Sequence, residues 1–117
     1  MKLKKIDSNE RSSRAVVAGN LIFIGGTTAP MDVEGITDQT RFVLAKLERE
    51  LEMCGGCKAN LVSATIYLRS MNDYVGMNTV WNDWLKDVVP PSRACVSPVL
   101  AGDHALVEIS VVGATND

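Results

Sequence analysis

Two stretches of helical apolar spacing, set among stretches of strand-like alternation, constrain the fold of this chain more than any other feature. In the first stretch, apolar residues recur every three or four positions and form a single stripe. They are Val43, Leu44, Leu47, Leu51 and Cys54. This spacing predicts a helix over 37–54. A second stripe, with two tryptophans, predicts a helix over 72–85.

The ends of both helices are marked by residues that helices use as signals. Thr37 or Asp38 is suited to cap the first helix, because its side-chain oxygen can accept a free backbone N–H. Gly55-Gly56 allows the left-handed turn that ends a helix. Pro90-Pro91 prevents the second helix from extending and imposes an extended chain.

The remaining apolar segments predict five strands. They are two arms of a hairpin over 15–26, with its turn at Gly19-Asn20, and single strands over 61–69, 92–97 and 106–112. The order β-β-α-β-α-β-β predicts an α+β fold, a mixed sheet with two helices on one face. The other face has nothing from its own chain to cover it, and its small and apolar residues favour an oligomer.

Length and charge narrow the class of protein. A chain of 117 residues fits one domain over 1–117. Its 46% apolar and 22% charged residues are typical of a globular protein and argue against disorder. With 14 acidic against 12 basic residues, nothing requires the basic face typical of nucleic-acid binders.

The apolar runs and the cysteines indicate where the protein acts. No apolar run follows the charged N-terminus, so we expect no signal peptide. The longest apolar runs, such as Leu21 to Ile24, are far too short to cross a membrane. An odd number of cysteines, three, fits free thiols in a reducing compartment. We therefore expect a cytoplasmic protein.

Arg93 and Glu108 are the strongest candidates for chemistry. Arg93 interrupts a mostly uncharged strand directly after two prolines, and Glu108 is the only charge in its own apolar strand. A planar guanidinium can hold a carboxylate through two parallel hydrogen bonds. A lone carboxylate in an apolar strand either pairs with a cation or lies in a functional cleft. Spacing leaves two interpretations open, a shared ligand site and a structural ion pair.

The other reactive residues favour structural roles. Cys95 shares the face of Arg93 and has no partner base, so we expect a small buried residue that lines a wall. His104, the only histidine, is expected to be an exposed loop residue. Cys54 and Cys57 cannot complete a four-ligand zinc site, and we predict no metal. Gly25-Gly26 is either a strand-ending turn or a point where backbone amides approach a ligand.

Several of these motifs together resemble the Rid family, also called YjgF. The run Pro90 to Val96, followed fifteen residues after Arg93 by Glu108, is similar to the C-terminal signature of that family. Further matches are the run Gly19 to Phe23 ahead of Gly26, Gln39-Thr40, and Met77-Asn78-x-x-Trp81. The resemblance covers about residues 13–114.

The resemblance implies a chorismate-mutase-like fold and a homotrimer with clefts between neighbouring subunits. It also implies hydrolysis of 2-imino acids, which arise from enamines, to 2-keto acids and ammonia, without a cofactor. Arg93 would then bind the substrate carboxylate and Glu108 would hold or activate a water. The backbone around Gly25, Gly26, Ala94 and Cys95 would orient the ligand.

The sequence departs from the family pattern at two places. Gly25 stands where the best-known branch has a serine, and Arg11-Ser12-Ser13-Arg14 stands where that branch has a tyrosine in the cleft. Both changes remove side-chain contacts to the substrate and bear on substrate range. The competing hypothesis is a metabolite-binding or regulatory trimer without turnover, because a fold by itself is not evidence of catalysis.

Overall fold

Six strands and two helices make up the structure, a computed structural model that describes residues 1–117. The strands are β1 (Leu3–Ser8), β2 (Ser13–Ala18), β3 (Leu21–Thr27), β4 (Gly56–Leu68), β5 (Ser92–Val96) and β6 (Val107–Thr115). The helices are α1 (Ile36–Met53) and α2 (Tyr74–Trp84), and a short 3₁₀ turn (Met71–Asp73) precedes α2. This confirms the α+β class.

All six strands form one sheet in the order β1-β2-β3-β6-β4-β5. Four of the five neighbouring pairs are antiparallel, and β4 and β5 are parallel, so the sheet is mixed as predicted. The parallel pair is connected through α2, which lies on the same face as α1. The edge strands are therefore β1 and β5.

The alternation of side chains divides the sheet into two faces. The helix face packs against α1 and α2 and carries the buried strand residues Ile22, Ile24, Ala64, Ile66, Leu68, Val107, Ile109 and Val111. The opposite face, here named the open face, carries Val16, Phe23, Ser63, Thr65, Tyr67, Val96, Glu108, Ser110 and Val112. No helix of this chain covers the open face, and Phe23 is 42% exposed there.

The predicted apolar stripes form the core. Val43, Leu44, Leu47 and Leu51 of α1 are each at most 1% exposed, and Met77 and Trp81 of α2 are buried against them. Gly55 takes φ +90° directly after α1, which is the left-handed turn the sequence predicted. The predicted cap was wrong. Gly35 occupies the N-cap position, and neither Thr37 nor Asp38 makes a capping hydrogen bond.

The predicted element order lacked β1. This strand pairs with β2 from Leu3↔Ala18 to Ser8↔Ser13. Its sequence is rich in lysine and Leu3 is 54% exposed, so the strand has no buried apolar face from which the sequence could predict it. Pairing with β2 and the turn at Asn9, whose Oδ1 accepts N–H bonds from Arg11 and Ser12, fix it instead.

Two boundaries also differ from the sequence expectation. β4 begins at Gly56 instead of residue 61, through irregular pairing with β6 that leaves Val62 exposed and puts Leu61 in the core. β6 continues to Thr115, because its C-terminal residues pair with the start of β3.

Neither helix is both long and apolar enough to cross a lipid bilayer.

Candidate active site

Arg93 lies on the edge strand β5, on the helix face of the sheet. Its Cα is in register with the buried Ala64 of β4, and residues in register on neighbouring strands share a face. The two prolines before β5 bring the chain into this strand after α2 has ended. The side chain therefore extends over α2 at the rim of the sheet.

Three side chains of α2 hold the Arg93 guanidinium. Its Nη1 donates to Asn78 Oδ1 at 2.7 Å and its Nη2 donates to the Tyr74 hydroxyl at 3.2 Å. The guanidinium carbon lies 5.5 Å from the ring centroid of Trp81, within cation–π distance. A guanidinium has five N–H donors, so three remain for a ligand. Arg93 is thus oriented in advance and still able to bind an anion through two hydrogen bonds.

The sequence reasoning missed Asn78 and Tyr74 as partners of Arg93. The available signal was helical spacing, since positions 74, 78 and 81 lie one and two turns apart and share a side of α2. A polar residue between two aromatic ones on that side is suited to receive a partly buried cation.

Glu108 lies on the open face, in the middle of the sheet. It is in register with Tyr67 and alternates with Val107 and Ile109, both completely buried on the helix face. Its carboxylate packs against the backbone of Gly26. A Cβ at that position would lie 2.1 Å from Glu108 Oε2, so only glycine leaves room for the carboxylate where it stands.

Gly25 and Gly26 form a β-bulge in β3. The neighbouring pairs are Ile24↔Val111 and Thr27↔Ile109, so two glycines stand opposite one residue of β6, Ser110. The sequence alternatives were a strand-ending turn and a close backbone approach. The strand continues through the bulge, and the close approach is made by the Glu108 side chain.

Within one chain, Arg93 and Glu108 do not meet. They lie on opposite faces of the sheet, and none of the ion pairs of the chain includes either residue. The structural ion pair that the sequence left open is therefore wrong for the single chain. The two side chains are kept apart by the strand register. The parallel β4–β5 pair aligns Arg93 with Ala64 on the helix face, while the β4–β6 pair aligns Glu108 with Tyr67 on the open face.

Cys95 and Ala94 follow Arg93 on β5 and face opposite ways. Cys95 is in register with Ile66 and shares the helix face with Arg93, as predicted. Burial raises the pKa of the Cys95 thiol, and the nearby Arg93 charge lowers it by less. The thiol is therefore neutral at physiological pH, which fits a wall residue better than a nucleophile. Ala94 is exposed and in register with Thr65 of the open face.

Comparison with known proteins identifies the family. Residues 2–115 match the family model described as Endoribonuclease L-PSP. A RutC family protein of Haemophilus influenzae is 34% identical over 113 residues, which cover 96% of this chain and 97% of that protein. The RutC family protein YoaB of Escherichia coli K12 is 32% identical, with 97% and 99% covered. The chain belongs to the Rid family, also called YjgF or RutC.

Solved structures agree with this assignment. A YjgF family protein of Neisseria meningitidis has a TM-score of 0.94 at 40% identity, with 100% of this chain and 98% of that chain covered. Yeast Mmf1 has a TM-score of 0.88 at 19% identity, which shows the fold alone. The Rid fold that the sequence motifs implied is thereby confirmed.

His104 has a different place in this Rid protein than its sequence suggested. Its Nε2 lies 2.8 Å from the carbonyl oxygen of Val33 and 3.3 Å from Gln39 Nε2. Gln39, 1% exposed, also donates to the His104 carbonyl and accepts from the Leu106 N–H. His104 lies in a loop, as predicted, but it is half-buried and not exposed, because its ring and its carbonyl bind Val33 and Gln39. Cys54 and Cys57 are free thiols, and burial raises the pKa of Cys54.

Proposed function

We propose that this protein hydrolyses 2-imino acids to 2-keto acids and ammonia, with Arg93 as the carboxylate clamp and Glu108 as the residue that positions water. The observation that carries the proposal is the preorganised Arg93. Its guanidinium is fixed by Asn78, Tyr74 and Trp81, half-buried, and keeps three N–H donors for a ligand.

The reaction requires little beyond orientation and a water molecule, since an imine carbon is already electrophilic. The water oxygen adds to this carbon while the Glu108 carboxylate accepts a proton from the water. The imine nitrogen takes up a proton from solvent as the water adds, so the product is a neutral carbinolamine. Glu108 then passes its proton to this nitrogen, the carbinolamine hydroxyl gives its own proton to Glu108 as the carbon–oxygen double bond forms, and the carbon–nitrogen bond breaks to release ammonia. The chemistry needs no metal and no cofactor, and no cofactor is part of the proposal.

Two separate half-sites support an active site between subunits. The Arg93 half-site, with Asn78 and Tyr74, lies at the β5 edge on the helix face. The Glu108 half-site, with Gly26, lies on the open face. A ligand that contacts both needs a second copy of the chain, whose β5 edge lies over the open face of its neighbour. We propose that these copies form a homotrimer.

The open face is suited to such packing. Leu21, Phe23 and Val96 are 36%, 42% and 44% exposed there. Burial of apolar surface contributes roughly 25 cal/mol per Å², so covering these side chains favours association. Light scattering at micromolar concentration is expected to give the mass of three chains of 12.7 kDa each. A stable monomer would contradict the shared cleft.

Turnover is tested with a freshly generated imino acid. An amino-acid oxidase or a pyridoxal-phosphate dehydratase generates 2-iminopropanoate in the cuvette, and trapping with semicarbazide reports the imine that remains. We expect the native protein to remove the imine faster than buffer does. Binding of pyruvate without faster imine loss would support the alternative, a metabolite-binding or regulatory protein without turnover.

A further inference from the structure

Arg14 makes the most protected ion pair of the chain. Its Nε donates to Glu50 Oε2 at 3.0 Å and its Nη2 donates to Glu50 Oε1 at 2.8 Å, a two-pronged contact. The two side chains are 25% and 19% exposed, whereas every side chain in the other three ion pairs is at least 65% exposed. The hydrogen bonding to Glu50 raises the pKa of Arg14, so the contact stays charged.

The remaining donors of Arg14 reach the glycine bulge of β3. Nη1 donates to the Gly26 carbonyl at 3.1 Å, and Nη2 donates to the Thr27 hydroxyl. That hydroxyl donates in turn to the Gly25 carbonyl at 3.1 Å. A bulge interrupts the ladder at these two residues, so side chains supply the contacts that a neighbouring strand would otherwise make.

The bulge is also the surface on which the Glu108 carboxylate rests. Gly26 is in direct contact with Glu108, and the two glycines have no side chains that could fix their own backbone. A shift of this backbone therefore moves the carboxylate. Helix α1 carries Glu50, so the chain of contacts runs from the helix through Arg14 and the bulge to Glu108.

We propose that Arg14, held by Glu50, is a positioning residue that fixes the Gly25–Gly26 bulge and through it the Glu108 carboxylate. The role assigned to Glu108 rests on the proposed function. The Arg93 half-site lies on another strand and another face, so Arg14 acts on turnover and leaves carboxylate binding unchanged. Motifs of the sequence that pointed to Arg93 and Glu108 do not point to Arg14.

The test compares Arg14→Gln with Arg11→Gln as the matched control. Arg11 is three residues away and its ion pair with Glu10 is about 80% exposed, so its loss perturbs the net charge equally without touching the bulge. For Arg14→Gln we expect kcat for imine hydrolysis to fall on the order of tenfold, the effect of one lost charged contact. The Kd for pyruvate is expected to stay at the native value, and Arg11→Gln to behave as native in both.

Variants of intermediate severity separate positioning from folding. Arg14→Lys keeps the charge but not the fork, and Glu50→Gln keeps the shape but not the charge. Both are expected to lower kcat less than Arg14→Gln does, with the trimer and the pyruvate Kd preserved. Equal losses of kcat and pyruvate binding, in proportion to lost folded protein, would overturn the proposal and leave Arg14 a structural residue.

Amide hydrogen exchange tests the proposal for Arg14 independently of whether the protein hydrolyses imino acids. Loss of the Arg14 contacts is expected to speed exchange across Ile24 to Thr27 and not in the paired part of β6. If the native protein hydrolyses no imino acid, the proposed function fails, and faster exchange confined to this segment still supports Arg14 as the residue that fixes the bulge. Unchanged exchange in Arg14→Gln would overturn it whatever the activity.

Discussion

The two proposed half-sites of this protein are built in different ways. Arg93 is held by side chains of one helix, through two hydrogen bonds and an aromatic ring, at the rim of the sheet. Glu108 stands in the centre of the sheet, without a salt bridge, against a glycine backbone that is itself held from α1 through Arg14. The first is complete within one chain and the second faces a surface that no element of this chain covers.

Under the proposed function, this difference matches a division of roles between the two half-sites, with Arg93 in binding and Glu108 in turnover. A cation that must bind the carboxylate of every substrate benefits from fixed geometry before binding, because less order is lost on association. A carboxylate that positions water benefits from contact with a fixed backbone, because that contact keeps the distance between the carboxylate and the substrate constant. Substitutions in the two halves should therefore separate binding from turnover.

The largest effect is expected from Arg93→Ala. A charged hydrogen bond contributes roughly 1.5–3 kcal/mol, so removing a bidentate clamp lowers kcat/KM on the order of a hundredfold or more. Pyruvate binding is lost as well, and Arg93→Lys is also impaired because it lacks the planar fork. Initial rates against imine concentration, with the oligomer checked for each variant, measure this. Near-native hydrolysis by Arg93→Ala would make Arg93 an ordinary strand arginine.

A smaller and different effect is expected from Glu108→Gln. The amide keeps the shape and loses the proton acceptor, so kcat falls by up to about a hundredfold, the low end of general-base contributions. Pyruvate binding, the oligomer and the melting temperature stay native. A large fall in melting temperature with unchanged turnover per folded protein would show that Glu108 serves the fold.

Gly26→Ala tests the same half-site by displacement, with Gly25→Ala as its control. The added methyl would lie 2.1 Å from Glu108 Oε2, so the flexible end of that side chain must move, and we expect kcat to fall about tenfold. At Gly25 the nearest atom to an added Cβ is Arg14 Nη1 at 3.6 Å, an ordinary contact away from Glu108, so this variant should lower kcat less than Gly26→Ala does. Equal kcat values for the two alanine variants would show that contact between Gly26 and Glu108 does not affect catalysis.

The smallest effect is expected from Cys95→Ala. Burial raises the pKa of this thiol, so it is protonated below and around neutral pH and supplies no thiolate nucleophile there. The variant should keep kcat/KM within about twofold and keep the native pH profile from pH 6 to 8. Loss of an alkaline rise in rate on substitution would instead assign Cys95 a chemical role.

Local patterns were sufficient for much of the fold. The α1 stripe from Val43 to Leu51, the turn at Gly19 and the helix end at Gly55 each depend on neighbours in sequence, and the structure has all three. β1 was not predicted because it is a strand through its pairing with β2 and has no buried apolar face. The prediction of Thr37 or Asp38 as the cap was wrong because the helix begins at Ile36, so the N-cap position falls on Gly35, which has no side chain.

The sequence by itself determined the family, the α+β class and the two residues with the chemistry of a carboxylate and a guanidinium. Only the tertiary structure decided where these two lie relative to one another. Each strand's alternation says which of its own residues share a face, but the register between strands says which faces coincide. That register puts Arg93 beside α2 and Glu108 beside Gly26, and it brings Arg14, Glu50 and the bulge together across 36 positions of sequence.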